Sequence, residues 1–369
     1  MKRSQVIRLI GFLLVVCLLI LALCDVFKYE TSQNSTRIYK YEKLQANTVD
    51  VSFIGTSAVS RAVNGAQAYK EEGLTLYPVA TNAAPSWAMK TLIKESFVNQ
   101  NPTLIAIDLR PFIVDAKAKR DEIRARYLID CLPFFSARRL SLINDTQKVM
   151  KELNDEKSRF DLSYFFSFIK YHSEWGEKDF SLYNSREKLS SSMGLFLSKR
   201  VSIRKVEFHG PKTAKESVPL DPINERYLYE VFDYVRKNNI NVVFVDIPHY
   251  YDKETAGRYE TVYKILEKEG FSYLNFNDEK LMEECGFDRS TDWYDDSHLN
   301  YYGAEKFTRW FAEYVVKNYD VPDRRKSESF DDTDWVNAGQ YISEYISELE
   351  LKEKEQGEQS QSGGSDSSS

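Results

Sequence analysis

Cysteine, histidine and net positive charge are all in short supply in this 369-residue chain. Four cysteines are present, and Cys17 and Cys24 lie inside an apolar N-terminal run, so no dense disulfide scaffold holds the fold. Cys131 and Cys285 could pair in an oxidising exterior, although nothing in their spacing demands it. No Cys/His cluster has metal-ligand spacing, and neither a metal nor another cofactor is expected. The formal net charge is −6, which argues against a nucleic-acid partner, because phosphate binding calls for a basic face. Tyrosine is plentiful at 24 residues. Core and rim positions absorb most of them and leave a minority for stacking on sugars.

What is present begins with a membrane address. Lys2, Arg3 and Arg8 precede an unbroken apolar run from Leu9 to Cys24, a little short of the ~20 residues that a spanning helix needs. Arg8 can snorkel, and Val26 and Phe27 extend the apolar reach. Positive charge before the run places the N-terminus inside and everything after Asp25 outside. The expectation is a single-pass, uncleaved anchor over residues 1–30, carrying an extracytoplasmic domain over 31–350. A cleaved signal peptide, with Ala22 and Cys24 as the small residues of its cleavage site, is the alternative. Leu23 is too bulky for a lipoprotein signal. Residues 351–369, rich in Glu and Gln and then in Gly and Ser, read as a disordered polar tail.

Between anchor and tail, short apolar runs alternate with helical patterns. Strands are expected at Val49 to Ile54, Leu104 to Leu109 and Ile240 to Ile247, with a weaker one at Ser272 to Phe276. Helices are expected at Ser86 to Asn99, Glu225 to Asn238, Lys253 to Glu269 and Ala304 to Asn318. This rhythm predicts an α/β fold, with a parallel sheet covered by helices on both faces. Residues 111–224 break it with basic and aromatic helical stretches and read as a helical insertion or lid.

In open parallel sheets, ligands bind beyond the carboxyl ends of the strands. Ser57 follows the first expected strand, Arg110 the second and Pro248-His249 the third, while Asp295 and His298 precede the last helix. A serine nucleophile needs a histidine base, and that base needs a carboxylate to hold its tautomer. Asp295 stands three residues before His298 and can supply it, with Asp296 as the adjacent alternative. Gly55-Thr56-Ser57 is not the elbow of the α/β-hydrolases, because Val59 stands where G-x-S-x-G needs glycine. A helix N-cap is the competing role for Ser57. His249, His172 and His209 read as packing, insertion and loop residues, since none has a carboxylate set as Asp295 is to His298.

Serine directly after strand one, combined with the block Asp295-Asp296-Ser297-His298-Leu299-Asn300 and Gly303 before the final helix, resembles the SGNH (GDSL-like) hydrolase superfamily. It is most similar to the membrane-anchored bacterial branch that includes the D-alanyl transfer protein of teichoic-acid operons and the alginate acetylation proteins. Tyr171-His172-Ser173-Glu174-Trp175 is similar to part of that branch's inserted region. The resemblance spans about residues 48–320. It implies a flavodoxin-like three-layer α/β/α fold, with Ser57 as nucleophile, His298 as base and Asp295 as orienting acid. It also implies an acyltransferase acting on a cell-surface glycopolymer (O-acetyl or D-alanyl transfer) beside a polytopic membrane-bound O-acyltransferase. An O-acylesterase with the same triad is the alternative, and a tethered, inactive binding protein the second. The chain departs from the superfamily in having no G-x-N-D segment, so Asn82 and the Ser57 N–H are the oxyanion candidates, with Asn82 equally readable as a loop or capping residue. Arg110 can hold an anionic group of the polymer or form a structural ion pair.

Overall fold

The computed structural model describes residues 3–26, 31–116, 122–154, 161–171, 190–198 and 216–362. It opens with helix α1 (Arg3–Val26), whose 24 residues extend ~36 Å at 1.5 Å per residue. Its segment Arg3–Cys24 is long and apolar enough to cross a membrane. Helix α2 (Thr31–Lys43) follows, and then the α/β body. Its first half comprises β1 (Val51–Gly55), α3 (Ser57–Ala62), α4 (Gly65–Glu72), β2 (Leu76–Ala80), α5 (Met89–Ser96), β3 (Leu104–Asp108) and α6 (Arg110–Ile113). The insertion contributes α7 (Ile123–Ile129), α8 (Ala137–Glu152) and the short α9 (Ser167–Lys170). The rest runs through α10 (Pro222–Lys237), β4 (Val242–Asp246), α11 (Lys253–Glu269), β5 (Tyr273–Asn275), α12 (Glu279–Glu284), β6 (Trp293–Asp295), β7 (His298–Leu299), α13 (Tyr301–Asn318) and α14 (Thr333–Ser362).

Strands β2-β1-β3-β4-β5, in that order, form one parallel sheet. Successive side chains of a strand point to opposite faces, and here both faces are apolar. Phe53, Ala106, Val243 and Val245 enter one core with α3 and α13. Ile54, Ile105, Ile107 and Phe244 enter the other with α2, α5, α10 and α11. Helices therefore cover both sides, as the near-continuous apolar runs required. The described insertion helices α7 and α8 add to the second side, against α2 and α5.

Three findings extend or correct the sequence reading. First, β2 is an additional strand, interrupted by Pro78, which a central strand could not tolerate; β2 lies at the sheet edge, where proline fits. Second, the expected tail is helical as far as Ser362. Trp335, Ala338, Ile342 and Ile346 are buried at helical spacing and fix the start of α14, and the Glu/Lys/Gln stretch that follows has good helix propensity. Third, Cys131 and Cys285, whose pairing the spacing left open, form no disulfide with each other. His172, Ser173, Glu174, Trp175 and His209 lie outside the described residues.

Candidate active site

The close of β1 is governed by Gly55. A Cβ there would lie 2.4 Å from Asp108 Cβ and 2.7 Å from Val59 Cγ2, so only glycine lets β3 approach this closely. Asp108 uses that approach to accept from the Thr56 N–H (3.2 Å) and Oγ1 (2.6 Å). Thr56, not Ser57, is the N-cap of α3, its Oγ1 accepting from the Ala58 N–H at 3.2 Å. This leaves the Ser57 hydroxyl available for another partner.

That partner is His298, whose Nε2 lies 2.8 Å from Ser57 Oγ across 241 residues of sequence. Its Nδ1 lies 2.8 Å from Asp295 Oδ1. The D-x-x-H spacing has a simple structural basis. β6 and β7 form an antiparallel hairpin in which Asp295 and His298 are directly opposite one another, so a two-residue turn of Asp296 and Ser297 brings the two side chains together. The Ser297 N–H donates to Asp295 Oδ1 at 2.8 Å and fixes the carboxylate. Downstream, Asn300 caps α13 by accepting from the Gly303 N–H (3.1 Å). A Cβ on Gly303 would meet the Asp292 carbonyl oxygen at 2.3 Å, so the glycine seats α13 directly behind the hairpin.

Three contacts brace the hairpin from outside. Arg110 Nη1 donates to the Ser297 carbonyl (2.7 Å) and the Tyr250 N–H to that of Asp296 (2.8 Å). The third, Arg61, was not singled out from the sequence. It lies one helical turn after Ser57, with its guanidinium 4.0 Å from the ring centroids of both Phe196 and Tyr294. Tyr294 occupies the register shift in β6, and its ring meets Arg61 of α3. The i+4 spacing from Ser57 was the only sequence signal for Arg61, because Phe196 and Tyr294 are distant in the chain.

Burial holds the His298 imidazole below its usual pKa; the Asp295 bond opposes this, while the charges of Arg110 and Arg61 add to it. For Asp295, burial pushes the carboxyl up, but the His298 bond and charge, the Ser297 N–H and Arg61 outweigh that and leave it below the usual carboxylate range. At neutral pH the pair is thus a neutral imidazole, 19% exposed, beside a carboxylate, the state in which His298 can accept the Ser57 proton. Any ester cleavage that depends on Ser57 should therefore persist into the usual histidine range and be lost only below it. Arg110→Ala removes a cation that disfavours the imidazolium, so the acid limb of kcat/KM should move to higher pH, whereas Arg110→Lys should leave it in place. Loss of the bond to Ser297 should also lower kcat by about ten- to hundredfold, the equivalent of a charge-assisted hydrogen bond of about 1.5–3 kcal/mol. A pH–rate profile of the three proteins checks both effects.

The Ser57 N–H is the first in α3, where no preceding turn can accept it, and it is a donor suited to an oxyanion. Asn82 lies beyond β2 at the same sheet edge, with its N–H donating to Asn34 Oδ1 (3.0 Å). Arg110 forms no ion pair among the described residues, and its Nε and Nη2 are buried without hydrogen-bond partners. His249 is a core histidine. Its Nδ1 lies 2.8 Å from the Ile247 carbonyl and its ring packs on Tyr251 and Tyr259. Among the described residues no group of three His, Cys, Asp or Glu side chains could hold a metal ion. A cavity of about 720 Å³ opens between α4, α13 and α14, and no triad residue lines it. No protein-family model matches the chain, and no curated protein matches it either.

Proposed function

We propose that the chain is a membrane-anchored, extracytoplasmic serine acyltransferase of SGNH type, acting on a cell-surface glycopolymer. The observation that carries this reading is the unbroken relay Ser57 Oγ–His298 Nε2–Asp295 Oδ1, with both links at 2.8 Å. A decayed scaffold has no need to keep such a relay. The strand order β2-β1-β3-β4-β5 is that of a flavodoxin-like doubly wound sheet, which supports the SGNH assignment, as does the position of the triad at the carboxyl edge.

In the proposed reaction, Ser57 Oγ attacks the donor's acyl carbonyl as its proton passes to His298 Nε2. The Ser57 N–H bonds the resulting oxyanion. Collapse breaks the bond to the leaving group, which takes the proton from His298 and leaves an acyl-Ser57 ester. An acceptor hydroxyl then repeats the sequence in reverse. Asp295 orients the imidazole and stabilises its charged form throughout. The Arg110 guanidinium, which forms no ion pair among the described residues, is the cation nearest the triad hairpin that suits an anionic group on donor or acceptor, and a polytopic membrane O-acyltransferase is the partner that would bring the acyl group across the bilayer.

The test loads the full-length protein with p-nitrophenyl acetate in the presence of a hydroxyl-rich glycan. Acetyl ester on the glycan, dependent on Ser57, is the expected result. Acetate released only to water would make the protein an O-acylesterase. No turnover and no adduct would move the assignment to a tethered binding protein.

A further inference from the structure

The last turn of α1 is not free of the body. Cys24 is buried, its carbonyl accepts from Ser167 Oγ at 2.9 Å, and its Sγ lies 3.8 Å from the Phe165 carbonyl. Leu21 and Cys24 line one cleft with Phe134 and Phe165 of the insertion. Next to this joint the insertion carries a shelf of aromatic and aliphatic side chains. The Phe134 ring contacts Phe135, Phe165 and Phe166 at centroid distances of 4.6, 5.7 and 5.6 Å. Phe135 is 79% exposed, Leu162 64% and Ile169 40%. Large exposed apolar side chains grouped in this way mark a surface that water does not normally cover.

We infer that this shelf lies on the lipid bilayer and seats the catalytic body on the membrane that α1 crosses. The inference rests on the proposed anchor role of α1. The occupant follows from continuity: residues bonded to the last turn of a spanning helix lie at the membrane surface, where apolar side chains sink into the boundary between headgroups and acyl chains. The seating also fixes the position of the active edge. Residues 27–30 separate α1 from α2 and can bridge no more than roughly 18 Å. The first half of α2 lies on the carboxyl edge of the sheet, with Asn34 Oδ1 on the Asn82 N–H (3.0 Å) and Arg37 Nη1 on the Ala80 carbonyl (3.4 Å). Its far end reaches the amino edge, where the Glu42 carbonyl accepts from Asn99 Nδ2 at 3.0 Å. The edge that carries Ser57 is therefore the one nearer the membrane, and an acyl donor presented at the bilayer surface meets it there.

The experiment uses full-length protein in vesicles of phosphatidylglycerol and phosphatidylethanolamine, with p-benzoylphenylalanine placed singly at position 14, 135, 162 or 316. Leu14 lies within α1, and Val316 is 40% exposed at the end of α13, near the amino edge that Arg324 reaches through its ion pair with Asp50. After irradiation, phospholipid adducts are expected at 14, 135 and 162, with none above background at 316. Adducts at 14 without adducts at 135 and 162 overturn the inference, as does a protein cross-link in place of lipid at 135. No adduct at 14 removes the anchor and the inference with it. All four proteins keep Ser57, so ester hydrolysis on the same samples reads the proposed chemistry separately from the seating.

Discussion

Ser57→Ala and His298→Ala should each lower the ester-cleavage rate of the full-length protein by about 10⁴- to 10⁶-fold, and the double replacement should be no worse than either alone. The non-additivity is the informative part. Ser57 Oγ and His298 Nε2 share one proton across a 2.8 Å contact, so removing either member ends the same step. Two residues contributing independently to substrate binding would give effects that multiply. The Ser57 replacement tests chemistry and not folding, because Thr56 caps α3 and Asp108 holds Thr56. Steady-state rates on the three variants, each with an unchanged melting temperature, provide the check.

The second large effect separates two neighbouring carboxylates. Asp295→Asn should reduce kcat by about 10⁴-fold, because an amide facing Nδ1 selects the wrong imidazole tautomer and cannot stabilise the imidazolium. Asp296→Asn should leave kcat within about threefold, since Asp296 serves the hairpin through its backbone carbonyl, which accepts from the Tyr250 N–H at 2.8 Å and survives the replacement. Equal losses in the two variants would mean that the hairpin is occupied in a register other than the one that pairs Asp295 with His298.

Much of the architecture could be read from residue pattern because burial on both faces writes itself into composition. Val51–Gly55, Leu104–Asp108 and Val242–Asp246 are nearly continuous apolar runs, and such runs report strands covered from both sides. The β2 strand carries Pro78, and a sequence cannot say that its strand will lie at an edge where the missing N–H is tolerated. The β6–β7 hairpin is too short, at three and two residues, to produce any periodicity. Asp295 and His298 were nevertheless visible as a candidate pair, because a two-residue turn fixes their separation at three. Arg61 escaped notice for the opposite reason. Its role depends on Phe196 and Tyr294, which only the tertiary fold brings to its two faces. The helical continuation through Glu348 to Ser362 was obscured by polar composition, while the apolar spacing at Trp335, Ala338, Ile342 and Ile346 that fixes its start is plain in retrospect.

The central claim is that Ser57 becomes acylated, and the most direct measurement is the mass of the protein itself. Full-length protein mixed with p-nitrophenyl acetate, quenched in acid within the first turnovers and digested, should yield a single acetylated peptide, the one containing Ser57. The adduct should be missing in Ser57→Ala and in His298→Ala. An acetyl group that persists in Ser57→Ala, or a wild-type protein that releases p-nitrophenol at the uncatalysed rate and carries no adduct, would contradict the account.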